Sequence, residues 1–132
     1  MRWFKRRPKR LLHDFSEILD DLVQERGEPE TLEAAFDLVT EAGRMMMFIR
    51  HHDYGADNIN QGGEEGIAIR VGDKLARIKT ILAKGKAKSE SKEDAWADMS
   101  NYGKIGVLWG RGWWNLPEER PGLVVVVPKR SS

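Results

Sequence analysis

The sequence predicts an all-α protein, an antiparallel bundle of about four helices followed by an extended C-terminal tail rich in Trp and Val. Three observations carry that prediction. Apolar residues recur at three- and four-residue spacing in four separate stretches, helix-boundary residues punctuate those stretches, and the one valine run, Leu123–Val127, has no second run to pair with.

The first helix is expected over roughly 10–26, where Leu11, Leu12, Phe15, Ile18, Leu19 and Leu22 share one face and Gly27 ends it. Pro29 in a first turn opens the second, which places Leu32, Ala35, Phe36, Val39, Ala42 and Met46 inward and runs to about Ile49. The short link between them favours an antiparallel pair. From His51 to Gly63 the periodicity stops and Gly, Asp and Asn accumulate, so a loop is expected there. A third helix resumes near Glu64, with Ala68, Val71, Leu75, Ile78 and Leu82 inward, and stops at Lys84-Gly85-Lys86. Ser91 reads as an N-cap with Asp94 three residues on, opening a fourth helix whose inward face is Ala95, Met99, Tyr102, Gly106 and Trp109. The expected organisation is a basic tail over 1–10, a helical domain over 11–109 and an extended tail over 110–132.

With 132 residues the chain suits one domain, and 33% charged against 40% hydrophobic residues is a globular composition. The longest apolar runs, Met45–Ile49 and Leu123–Val127, fall far short of the ~20 residues of a membrane span, and no apolar stretch of ~7–15 residues follows the basic start as a secretory signal requires. The absence of cysteine excludes disulfides, thiolate zinc sites and a cysteine nucleophile, and suits a cytoplasmic protein. The net charge of +1 conceals an uneven distribution. Six of the 22 basic residues (Arg2, Lys5, Arg6, Arg7, Lys9, Arg10) lie in the first ten positions and two (Lys129, Arg130) in the last four. The remaining 14 face all 21 acids, which leaves −7 on residues 11–128.

Chemistry is expected first on the fourth helix. Asp94 and Asp98 stand one turn apart at the border of the apolar face, a half-site for a hard cation such as Mg²⁺; the competing reading is an acidic first turn complementing the helix dipole, with Asp98 solvated. On the third helix Arg70, Asp73, Lys74 and Arg77 share a sector centred ~120° from the apolar face, suited to phosphate oxygens or to an ion-paired solvent face. The Gly62–Gly66 segment sets backbone amides and two carboxylates at a helix start, and His51-His52 before Asp53-Tyr54 offers a general base or an exposed loop histidine. The basic start, with Trp3 and Phe4 among its cations, suits nucleic acid through residues 2–10, an anionic surface, or a solubilising end.

His52-Asp53-Tyr54-Gly55, the run from Gly63 to Ile78 with its Arg-x-x-Asp-Lys-x-x-Arg core, and Glu93-Asp94 with Asp98 and Asn101-Tyr102 resemble, in that order, the nucleotide modification associated domain, first family. Its members are small helical proteins of phages and their hosts, and the resemblance covers roughly residues 44–109. It implies a (deoxy)nucleotide-binding protein in which Asp94 and Asp98, with Asp73 or Glu65, hold Mg²⁺. Arg70, Lys74 and Arg77 would bind phosphate, and His52, Asp53, Tyr54, Asn101 and Tyr102 would meet the nucleoside. A metal-activated water attacking a phosphoanhydride is the corresponding reaction. More distantly the chain is similar to the all-α MazG-type nucleoside triphosphate pyrophosphohydrolases, which hold Mg²⁺ with a Glu-x-x-Glu helix and a Glu-x-x-Asp helix. Here Glu64 and Glu65 are adjacent and Glu93 stands five residues from Asp98. The alternative is a non-catalytic module engaging nucleic acid or a host protein through the basic tail and Trp113-Trp114. A homodimer would complete the apolar faces of so small a helical unit.

Overall fold

The computed structural model describes residues 14–85 and 91–119, and every described regular element is helical. These are α1 (Phe15–Arg26), α2 (Leu32–Tyr54), α3 (Asp57–Asn60), α4 (Gly63–Lys84) and α5 (Lys92–Gly110). The basic tail over 1–10, Leu11 and Leu12 of the first expected helix, and the valine run of the C-terminal tail lie outside the described residues. Among the described residues no helix is long and apolar enough to cross a membrane. The chain divides into two compact units at the Asp53/Tyr54 boundary.

In the first unit, Asp14 has extended backbone (φ −81°, ψ 133°) and stands as the N-cap of α1, which begins at Phe15. Phe15, Ile18 and Leu22 form its buried stripe. Gly27 ends it at φ +91°, a conformation that side-chain-bearing residues rarely adopt, with its N–H donating to the Val23 carbonyl at 2.7 Å. The second helix starts at Leu32 rather than at Pro29, because the Thr31 hydroxyl accepts from the Ala34 N–H at 3.1 Å and caps it there. Its interior differs from the expected face. Ala42 and Met46 are buried together with Leu38 and Ile49, but Leu32, Phe36 and Val39 are exposed. On a helix of 3.6 residues per turn the buried set lies roughly 80° round from the Leu32–Phe36–Val39 stripe, so the apolar arc of α2 is wider than the part that is covered.

The segment across the boundary between the two units corrects the expected loop. His51, His52, Asp53 and Tyr54 complete the last turn of α2, and Asp57–Asn60 form the single turn α3. Only brief breaks remain, at Gly55 (φ +72°) and before Gly63 (φ +61°). The helices α4 and α5 then pack antiparallel. Gly63 approaches Trp109, Arg70 stands over Tyr102 and Lys74 meets Asp98, so each step forward along α4 is matched by an equal step back along α5. At Gly63 an added Cβ would make ordinary contact with the Trp109 ring at 3.4 Å, so it is the positive φ of +61° that favours glycine there.

Candidate functional site

The hairpin of α4 and α5 carries both candidate constellations, and its geometry follows from which faces the helices turn inward. The Ser91 hydroxyl accepts from the Asp94 N–H at 3.0 Å, the cap expected from sequence, and fixes the first turn of α5. From there Asp94, Asp98, Asn101 and Ile105 fall on one face and are buried, along with Ala95 and Ala97. Met99, Tyr102, Gly106 and Trp109, expected at the centre of the interior, lie only partly covered. The inward face of α5 is thus turned by roughly a quarter revolution from its apolar sector. The face of α4 turns as well, by roughly 60°: Ile67, Ile78 and Ile81 are buried and Val71 and Lys74 are partly so, whereas Ala68, Leu75 and Leu82 are exposed.

One ion pair lies on both of the rotated faces. The Lys74 Nζ lies 2.8 Å from Asp98 Oδ2, with only 16% and 5% of the two side chains exposed. A carboxylate and an ammonium taken out of water are tolerable only with each other, so the two helices must face along the line joining them. The expected solvent-facing stripe therefore splits. Asp73 and Arg77 are exposed, Lys74 turns in, and Arg70 is half-buried between α3 and α5. Its Nη2 donates to the Asn58 carbonyl at 3.0 Å and its guanidinium carbon stands 6.0 Å from the centre of the Tyr102 ring.

Below that guanidinium lies a recess of about 290 Å³, lined by Asn58, Ile59, Gln61, Gly62, Gly66, Ile67 and Arg70. It borders the first turn of α4, where the backbone N–H groups of a 22-residue helix begin and the helix dipole is positive. Glu64 and Glu65 stand in the same turn but are exposed and do not line the recess. Gly62 and Gly66 belong to the helix start singled out in the sequence, whereas Asn58 and Gln61 are site residues that sequence reasoning passed over, because a four-residue helix leaves no periodic signal. The wall they form is fastened from outside. The Trp114 indole N–H donates to the Ala56 carbonyl at 3.1 Å, and Asn60 and Asn115 exchange amide hydrogen bonds of 2.8 and 3.2 Å. The indole of Trp114 is buried in making that bond, whereas Trp113 is exposed under Arg111, whose guanidinium carbon is 5.1 Å from its ring centre.

The remaining sequence candidates are scattered. Glu65 is exposed at the start of α4, Asp73 is exposed further along it, and Tyr54 is exposed after His52 and Asp53 at the end of α2. Asn101 is buried one turn from Asp98, beside the partly covered Tyr102. Among the described residues no three of His, Cys, Asp and Glu gather as a metal-holding group. Asp98 is already neutralised by an ammonium at 2.8 Å, which disfavours a second cation against the same carboxylate. The residues named for Mg²⁺ therefore do not fit the ion as arranged here. Comparison with protein-family models, curated proteins and solved structures finds no match to this chain.

Proposed function

We propose that the protein binds a (deoxy)nucleotide with its phosphates in the recess at the start of α4, and that Arg70 is the cation that receives them. The observation that carries this reading is the recess itself, where a half-buried guanidinium, oriented by the Asn58 carbonyl and the Tyr102 ring, borders the amide end of a long helix. A planar guanidinium offers five N–H donors in a fixed fork that matches phosphate oxygens, and helix N-termini favour the same charge. The resemblance to the nucleotide modification associated domain supports the same ligand class, and the cytoplasmic setting that the lack of cysteine suits and the homodimer that so small a helical unit favours belong to the same reading. Of the phosphate-binding trio, Arg70 takes the central role, because Lys74 is committed to Asp98 and Arg77 does not line the recess. The reading is one of binding, with no step routed through a metal.

The test is thermal unfolding of the full chain with each ribo- and deoxyribonucleoside mono-, di- and triphosphate, in EDTA and in MgCl₂. At a hundredfold excess over Kd a ligand stabilises the fold by about 2.7 kcal/mol, a readily measured shift in Tm. Nucleotide should raise Tm in EDTA, and Arg70→Lys, which keeps the charge but loses the fork, should weaken binding roughly tenfold. No shift with any nucleotide at millimolar concentration, or undiminished binding by Arg70→Lys, overturns the proposal.

A further inference from the structure

The helix α5 turns its polar side chains in and leaves large apolar ones out. Asp94, Asp98 and Asn101 are buried, while Trp96 and Val107 are 52% and 62% exposed. At ~100° per residue Trp96, Ser100, Gly103, Val107 and Gly110 fall within one sector of about 80°, and all five are exposed. None of them is charged. Lys104 stands at the edge of the sector, with a stem long enough to carry its ammonium out to solvent. An uncharged face with two large apolar side chains marks a contact surface, and nothing in the nucleotide reading uses it.

The same face is complementary to itself. Gly103, Gly106, Val107 and Gly110 stand at i, i+3, i+4 and i+7, the four corners of the hole into which a facing helix sets one side chain. An added Cβ at any of the three glycines would meet nothing within 4 Å, so packing inside the chain does not call for glycine there, and glycine weakens a helix. Trp96, two turns before Gly103, is the exposed side chain large enough to fill such a hole. Knob and hole on one face suit a two-fold contact with a second copy, in which residue i meets j and j meets i. Charge agrees with that occupant. Glu93 and Arg111 are both exposed and stand eighteen residues, or five whole turns, apart, so they lie on one flank of the face. An antiparallel crossing centred midway between them, at Tyr102, sets Glu93 of each chain opposite Arg111 of the partner subunit. It also brings Trp96 within half a turn of the centre of the glycine hole of the facing helix. We propose that the outward face of α5 is the homodimer contact, two copies crossing antiparallel near Tyr102 and Gly103 with Trp96 of each seated in the glycine hole of the other. The contact rests on the homodimer of the reading above and not on its nucleotide.

Sedimentation velocity of the full chain over a micromolar-to-millimolar series tests this. A single helix crossing buries less than the ~1,600 Å² of a standard interface, so a reversible, concentration-dependent dimer is expected. Gly103→Leu fills the hole from an open position and improves the helix. It should weaken the dimer at least roughly tenfold, with the helical circular dichroism retained. Glu93→Arg and Arg111→Glu should each weaken self-association roughly fivefold, and an equimolar mixture of the two, in which every facing pair is again of opposite sign, should dimerise like the wild type. A wild-type chain that stays monomeric throughout overturns the contact and the homodimer together. A dimer undiminished by Gly103→Leu, or a mixture no tighter than its components, overturns the contact and leaves the homodimer standing. The nucleotide is read separately by its thermal shift, since none of the substituted residues lines the recess.

Discussion

Two ion pairs, one in each unit, lie in opposite environments. In the first unit, Arg26 and Glu41 form a two-pronged ion pair, Nη1 to Oε1 at 2.7 Å and Nη2 to Oε2 at 2.8 Å, between side chains 47% and 40% exposed. The buried residues there, from Phe15, Ile18 and Leu22 to Leu38, Ala42, Met46 and Ile49, are apolar. In the second, Asp94, Asp98 and Asn101 are buried on α5 and Lys74 reaches Asp98 from α4. Apolar burial is tolerant of direction, because a rotated helix can still bury hydrocarbon, and that tolerance is visible in α2, whose apolar arc is only partly covered. A buried ion pair has no such tolerance: a small rotation of either helix leaves each charge alone in a poorly polarisable interior. The buried pair thus fixes the register of the second unit's hairpin, a constraint that the exposed Arg26–Glu41 pair does not impose on its own helices.

The largest expected effect tests that contrast in the second unit. Asp98→Ala strands the Lys74 ammonium inside the hairpin and should cost about 3–5 kcal/mol, seen as a lower midpoint in urea unfolding. The pair as a whole contributes far less than either half. Lys74→Met combined with Asp98→Leu should therefore recover most of the stability, and a double variant as unstable as Asp98→Ala would mean that something other than the stranded charge is responsible. This has a consequence for function. Loss of any activity on Asp98→Ala is expected from unfolding alone, so it does not identify Asp98 as a metal ligand, whereas metal binding that survives in the folded double variant would exclude it.

A smaller effect compares helix starts across the two units. Ser91 caps α5 through its hydroxyl, whereas Asp14 at the start of α1 makes no side-chain capping bond. Ser91→Ala should cost about 1 kcal/mol, and Asp14→Ala about half that or less, since only the attraction of its carboxylate to the helix dipole is lost. Equal losses in urea unfolding would break the comparison. The sign of the difference is the informative part, because a serine is being set against a residue that carries a full charge.

What the sequence revealed divides along the same line. The cap at Ser91 and the stop at Gly85 were legible because each is a local event, a hydroxyl three residues from the N–H it meets and a glycine at φ +93°. The helical class was legible from periodicity. The inward faces of α4 and α5 were not, because periodicity counts hydrocarbon, and here the interior includes Lys74, Asp94, Asp98 and Asn101. With those residues assigned to borders or solvent, both expected faces are displaced together. The expected loop at His51–Gly63 failed differently. Glycine and Asx residues do mark its breaks, at Gly55 and Gly63, but the turn between them is held by Trp114 and Asn115, some 55 residues away, which no local pattern encodes. One wall of the recess beside Arg70 is built on that turn, so Asn58 and Gln61 were invisible for the same reason, although Arg70 and the Gly62–Gly66 helix start were legible.

The smallest expected effect is on the exposed pair. Hydrogen bonds from Arg26 hold the Glu41 carboxyl below the usual glutamate range; burial opposes them in part, and the charges of Arg26 and Arg44 add smaller lowering effects. A group whose pKa is lowered in the folded state contributes stability above its unfolded pKa, about 4.3, and loses it as pH falls through the lower folded value. The matching rise of the Arg26 pKa has no consequence near neutrality, since arginine is protonated there in both states. Glu41→Gln should therefore cost about 0.2–1 kcal/mol at pH 7 in low salt and progressively less as the wild-type carboxyl protonates below pH ~4. Salt supplies the sharper comparison. At about 1 M NaCl the Debye length falls to ~3 Å and the cost of Glu41→Gln should largely vanish, whereas the cost of Asp98→Ala should persist, because counterions do not reach a pair closed between two helices. If salt erased both effects alike, the Lys74–Asp98 pair would be behaving as a surface contact, and the register of the hairpin would have to rest on apolar packing.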